Sequence, residues 1–289
     1  MVRYNQAYYG TTNIGYISKN GKIVKKIYKG STLVYKLGFD TFTVNAGTSL
    51  RAWKVPMGVE KIHIDCVASR GAHGQAGHSD TGSNLSNGGN GGRVQCDMKV
   101  NGGETLYITV GNIPSNQQNA SYNASDIRIG GTGYANRVLV AGGGGSGCYN
   151  SGDSSRTAVS AGANGGGTTG ANSADAVRRT TAGGAKGGTQ SAGGAGGVAN
   201  TSTYNGGNGT LGMGGAGKKY WAYSGAGGAG YYGGGGGASS AGQHSGNRYR
   251  AASGGAGGSS YANSSRCSSV THTQGYRNGA GYVTISYVW

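Results

Sequence analysis

Alternation of apolar and polar residues is the strongest signal along the chain. In "VEKIHIDCVAS", Ile62, Ile64, Cys66 and Ala68 fall on one face and Lys61, His63 and Asp65 on the other, the period of two that marks a strand buried on one side. "GRVQCDMKV" sets Val94, Cys96, Met98 and Val100 against Arg93, Gln95, Asp97 and Lys99, and "ETLYITVG" continues through Leu106, Ile108 and Val110. Shorter candidates are Phe42 in "FTV", "LRAWKV" before Pro56, Ile127 and Ile129 in "DIRI", and Val138 and Val140 in "NRVLVA". The closing "GYVTISYVW" alternates Val283, Ile285, Tyr287 and Trp289 with Tyr282, Thr284 and Ser286. Gly and Asn turns separate these segments, and none has helical periodicity. The pattern predicts an all-β fold, an antiparallel sandwich.

A strand at residues 282–289 cannot stand alone, because its backbone and apolar face would go unsatisfied. It is expected to return to the earlier strands, which makes residues 39–140 plus 282–289 one sandwich and residues 141–281 an insertion pinned at both ends. Composition now matters. Gly supplies 65 of the 289 residues, against a usual share of ~7%, and only 2 residues are Pro, which excludes collagen. Glycines recur at i and i+3 in "AGGAGG" (Gly193, Gly194, Gly196, Gly197), "GAGGAG" and "SGGAGG". That is the period of a left-handed extended helix whose amides are free to bond sideways. Without Cβ atoms such helices can approach until their backbones exchange hydrogen bonds. The insertion, including the core-poor "GGAGYYGGGGGASS" at residues 227–240, is expected to be an ordered scaffold.

"VPMGVEKIHIDCVASRG", "ETLYITVGN", "LVAGGGGSG", "GAGYYGGGGG", "GGAGGSSY" and "GAGYVTISY" together resemble the glycine-rich domains of bacterial and phage surface proteins and of anaplastic lymphoma kinase-type receptors, over residues 39–289. The resemblance implies a tumour-necrosis-factor-like, jelly-roll sandwich carrying an insertion of packed polyglycine II helices, an arrangement related to the tail-tip adhesins of tailed phages. "ASRGAHGQAGH" departs from the family's unbroken glycine run, so the resemblance does not carry a glycine helix over residues 68–78. Residues 1–38 form a separate module, in which Asn20-Gly21 and Lys29-Gly30-Ser31 are turn signals that predict a three-stranded β-meander. Its "KIVKKIYKGSTLVYK" resembles segments of phage tail proteins, which makes it the expected attachment to other tail proteins. "MVRYNQAYYGTTNIGYIS" has no apolar core of the secretory type; the expectation is a virion tail protein made in the host cytoplasm and released by lysis.

The net charge is +16, and no acidic side chain follows Asp175. Either the cations keep a glycine-rich surface soluble or they attract an anionic partner. With no RGG repeat and no RNA-recognition strand motif, nucleic acid is not the expected partner; a host-envelope component, an anionic glycan or a surface protein, fits the charge better. Association into homo-oligomers stays open. Cys66 and Cys96 are expected as buried thiols, and a Cys148–Cys267 bridge is left open. His73, His78 and Asp80 match no zinc spacing, the G-x-G-x-x-G matches at residues 212–217 and 225–230 follow no strand, and the insertion offers only Asp153 and Asp175 as carboxylates for hydrolysis. No enzyme, metal or cofactor is inferred. The segments between glycine runs are rich in Tyr, Ser, Asn, Arg and Trp, the composition of antibody combining loops. They supply the candidate binding residues Lys218, Lys219, Tyr220, Trp221, Tyr223, Arg248, Tyr249, Arg250, Tyr276 and Arg277, of which Trp221, Tyr223, Arg248, Tyr249 and Arg250 are expected to cluster at one exposed end. Tyrosines acting as lids over glycine-helix ends are the competing role, and a purely structural tail component or a bacterial surface protein is the competing function.

Overall fold

The computed structural model describes residues 17–287 except 20–21, 25, 30, 37–40, 48–49, 75–83, 119–121 and 151–153. His78, Asp80, Asp153 and Trp289 lie outside the described residues. The described chain is mostly β, and its sheets are antiparallel apart from one parallel pairing, Thr157–Val159 with Asn247–Ala252.

Two five-stranded sheets hold the apolar core. One runs Cys267–Arg277, Gly91–Lys99, Lys61–Val67, Tyr282–Tyr287, Thr41–Asn45; the other runs Tyr261–Ala262, Arg137–Ala141, Ser125–Ile129, Thr105–Thr109, Arg51–Lys54. Ile62, Ile64, Cys66, Val94, Cys96 and Met98 from the first meet Leu106, Ile108, Ile127 and Leu139 from the second in one buried cluster. The last strand lies between Thr41–Asn45 and Lys61–Val67, with Ile285 opposite both Phe42 and Ile64. The expected return of the chain end is therefore met, but the sandwich reclaims the chain earlier than expected. Tyr261–Ala262 pairs with Arg137–Ala141, and Cys267–Arg277 pairs with Gly91–Lys99, so the insertion does not extend to residue 281. Polar residues on an edge strand, interrupted by register shifts after Ser268 and Thr273, hide the period that would have marked it.

The N-terminal segment also differs from expectation. Lys19 pairs with Lys22 and Lys29 with Thr32, which leaves the two-residue connections foreseen at Asn20-Gly21 and Gly30-Ser31. Yet Ile17–Lys19 with Lys22–Val24 and Lys26–Lys29 with Thr32–Lys36 are two separate hairpins, not a three-stranded meander. A meander needs a middle strand that pairs on both sides; residues 22–24 pair only backward and residues 26–29 only forward.

The glycine-rich segments are mostly unassigned to strands, but they are buried and hydrogen-bonded sideways. In residues 143–149 the amides rotate through three neighbours. Gly143, Ser146 and Tyr149 donate to the carbonyls of Ala229, Ala226 and Tyr223; Gly144 and Gly147 donate to Ser69 and Ala72; Gly145 donates to Ala163. Residues 233–237 repeat the period of three, with Gly234 and Gly237 donating to Gly228 and Gly225, and Gly233 and Gly236 to Thr210 and Gly207. Side chains are excluded by the closeness of these contacts. A Cβ on Gly228 would lie 2.1 Å from the Gly143 carbonyl oxygen, and one on Gly255 1.9 Å from that of Ala226. Residues 227–240 are buried apart from the half-buried Tyr231 and Tyr232. Backbone here occupies the place of a side-chain core.

Buried serines complete the bonding where a backbone partner is missing. Ser253 Oγ donates to the Gly183 carbonyl and accepts from Ala238 N–H, and Ser224 Oγ donates to the Gly237 carbonyl. Asn123 does the same with its amide, donating to Gly144 O and accepting from Ala229 N–H.

Residues 68–74 join this bonded region despite their departure from a glycine run. Ala68, Gly71 and Gly74 donate to Gly92, Gly89 and Ser86, again every third residue. Gly71 and Gly74 stand where a Cβ would meet backbone, and the side chains between them are put to use: His73 Nδ1 accepts the Gly88 N–H at 3.0 Å. All four cysteines are free and buried. Cys267 lies in the sandwich core with its thiol hydrogen-bonded to that of Cys96, whereas Cys148 packs with Ala222 and Ala252, so Cys148 and Cys267 do not pair.

Candidate functional site

A hairpin projects from the glycine-rich region. Ser239–His244 and Asn247–Ala252 pair from Ser239↔Ala252 to His244↔Asn247, and Ser245 and Gly246 connect them with φ of 49° and 75°, the two left-handed residues that a type I′ turn requires. Its base, Ser239, Ser240, Ala251 and Ala252, is buried, while Gln243, His244, Ser245, Gly246 and Arg248 are exposed. The base is clamped to the neighbouring 218–224 segment: Tyr220 N–H donates to Ser239 Oγ, which in turn donates to the Ala222 carbonyl.

Pairing decides which side chains share a face. Arg250 stands opposite Ala241 and Arg248 opposite Gln243, so these four project together. Against that face lies Trp221, with the Arg248 guanidinium 4.7 Å and the Arg250 guanidinium 5.7 Å from its ring centroid. Guanidinium planes on an indole face are held by the ring quadrupole and by stacking. Tyr220 borders the same space, tilted against Trp221 at 5.8 Å and stacked from behind on Tyr204 at 4.1 Å. The result is an open cleft of about 350 Å³ lined by these aromatic, arginine and hairpin residues and by Gly242. None of its lining residues is acidic.

The structure thus brings together Tyr220, Trp221, Arg248 and Arg250 from the sequence-based set, and separates the others. Tyr249 pairs with Gly242 and belongs to the opposite face of the hairpin, where it packs under Arg179 at 5.2 Å and edge-on to His244. Its expected place beside Trp221 fails because neighbours along a strand point to opposite faces. Tyr223 is half-buried against Tyr149, with the Lys219 ammonium 4.6 Å from its ring centroid, so these two brace the segment rather than line the cleft. Lys218 is exposed, its backbone tied to Ser224. Tyr276 and Arg277 lie on the Cys267–Arg277 edge strand, Tyr276 under Arg93 and Arg277 over Tyr282.

Gln243, Tyr204 and Arg179 were not foreseen. The Ser245-Gly246 turn in "GQHSGNRYR" was the available clue to Gln243, since it puts Gln243 opposite Arg248. Nothing in the sequence links Tyr204 to Tyr220. Among the described residues no group of three or more His, Cys, Asp or Glu could hold a metal ion.

A family model described as a glycine-rich domain matches residues 43–288. No curated protein matches the chain.

Proposed function

The chain belongs to the glycine-rich domain family, and on that premise we propose that it is a bacteriophage tail adhesin: a non-enzymatic virion protein that recognises a host-envelope component through the exposed hairpin and its cleft. The observation that carries this reading is the Trp221–Arg248–Arg250 cleft, a cationic and aromatic surface raised on a base of buried backbone. Trp, Tyr and Arg are the residues that most often dominate interfaces. The scaffold is read as a jelly-roll of the tumour-necrosis-factor type bearing a lattice of polyglycine II helices. Support comes from amides that rotate through three neighbours at a period of three, the repeat of that helix. Residues 1–38 are assigned the attachment to other tail proteins. The carboxylates offer little for catalysis, since Asp65, Asp126 and Glu104 are held in ion pairs with Arg93, Arg128 and Arg266.

Adsorption of the purified, fluorescently labelled chain to intact cells of a bacterial strain panel tests the reading. On a strain that binds it, Trp221→Ala with Arg248→Ala is expected to weaken adsorption by at least about thirtyfold, the ~2 kcal/mol typical of a dominant interface residue. Folding stability is expected to stay within about 1 kcal/mol. Added salt is expected to slow association in the parent. Undiminished adsorption by the double variant would remove the cleft from recognition and favour a structural tail component.

A further inference from the structure

We propose that the Trp221 cleft takes an acidic saccharide, a sugar ring carrying a carboxylate or a phosphate; the inference rests on the recognition reading above and names its ligand. Size comes first. A volume of about 350 Å³ stands at the lower end of the ~300–1,000 Å³ typical of small-ligand sites, and is too small for a protein surface to enter.

Charge comes second. Arg248 and Arg250 are two residues apart on one face of one strand, so two positive charges are held side by side with no carboxylate on the cleft wall. An oxyanion relieves that repulsion. Stacking on the indole orients the guanidinium planes in advance while leaving their N–H edges for a forked contact, the geometry that suits carboxylate and phosphate oxygens. Less rotamer freedom is then lost when the anion arrives.

The rest of the wall is suited to hydroxyls and to the C–H faces of a sugar. Gln243 offers both donors and an acceptor, and the Tyr220 hydroxyl can do either. Trp221 is 42% and Tyr220 36% exposed, which leaves ring surface for apolar contact. An inorganic anion would use the arginines alone; a neutral sugar would use the rings and Gln243 alone. Both sets line one cleft.

The test is titration of the full chain followed by the indole N–H signal of Trp221, assigned through Trp221→Phe, with glucose, glucose 6-phosphate, glucuronic acid and inorganic phosphate as probes. Glucose 6-phosphate or glucuronic acid is expected to shift the Trp221 signal and to bind at least about tenfold more tightly than either glucose or inorganic phosphate. Arg248→Gln with Arg250→Gln is expected to abolish that advantage, while Arg248→Lys, which keeps the charge but loses the fork, retains part of it. Thermal unfolding checks that each variant is folded, and Arg248→Gln, at an exposed position, serves alone if the double variant is not. Equal binding of glucose, equal binding of inorganic phosphate alone, or binding indifferent to both arginines overturns the proposal. Adsorption to cells that depends on the cleft without any acidic-sugar binding would overturn this inference and leave the adhesin reading standing. Acidic-sugar binding without adsorption would uphold the inference and remove the adhesin reading.

Discussion

At the scale of single residues, the chemistry of the glycine-rich region comes down to the absence of one carbon atom. Gly228 is buried, donates its N–H to Ala256 O, and has the Gly143 carbonyl oxygen 2.1 Å from where a Cβ would stand. The obstacle is backbone, itself bonded on to Ala229 and Gly258, so it cannot swing aside as a side chain would. Gly228→Val is expected to unfold the region, and Gly228→Ala to cost at least the ~1–3 kcal/mol of an overpacked core. Gly47 is the control. Its added Cβ would meet only Asn45 O, at 3.9 Å, and Gly47→Ala is expected to stay within about 0.5 kcal/mol. Urea unfolding of the two alanine variants measures the contrast; equal stabilities would mean that the close approach is not energetically real. The pairing of glycines three apart made this legible in the sequence. What each glycine faces was not legible, because the contacts join residues far apart in the chain.

At the scale of elements, strands with clean alternation were readable and strands without it were not. Ile62, Ile64, Cys66, Val94, Cys96, Met98, Leu106, Ile108, Val283 and Ile285 are all buried as their period required. Cys267–Arg277 and the Ser239–Ala252 hairpin escaped because their faces are not divided into apolar and polar; partners, not burial, place them. Residues 68–74 escaped for a different reason. His73 replaces a lattice carbonyl with a ring nitrogen that must be unprotonated to accept the Gly88 N–H. Burial first, and then the charge of Arg70, lowers the His73 pKa from its usual 6.5, and burial does the same to His272. The unfolded chain therefore takes up protons below about pH 6.5 that the folded chain resists, and stability must fall as the pH drops through that range. The melting temperature is expected to decline between pH 7.5 and pH 5. His73→Asn, which keeps an acceptor near the same place without titrating, is expected to flatten that decline in part. An unchanged slope in the variant would show that the 68–74 pairing does not depend on a neutral ring.

At the scale of the whole molecule, two kinds of core lie in one chain: a side-chain core between two sheets and a backbone core in the glycine-rich segments. They share members, since the Asn123 amide donates to the carbonyls of Ser69 and Gly144 and accepts from Ala229, and Arg137 reaches from a sandwich strand to the carbonyls of Gly230 and Tyr231. Ordering glycine costs on the order of 1–2 kcal/mol per residue, so the second core can exist only if many segments bond to one another at once. The exposed cleft depends on it, because the hairpin base at Ser239 and Ala252 is set in that backbone. The number of segments and their joint order were readable from repetition; which of them flank the cleft was not. The most direct measurement is amide hydrogen exchange in the native protein over residues 225–237 and 254–259. Protection comparable to that of Lys61–Val67 and Gly91–Lys99 is the predicted result, since both sets of amides would open only with global unfolding. Exchange in the glycine-rich segments at the rate of an open chain, with the sandwich still protected, would contradict the account.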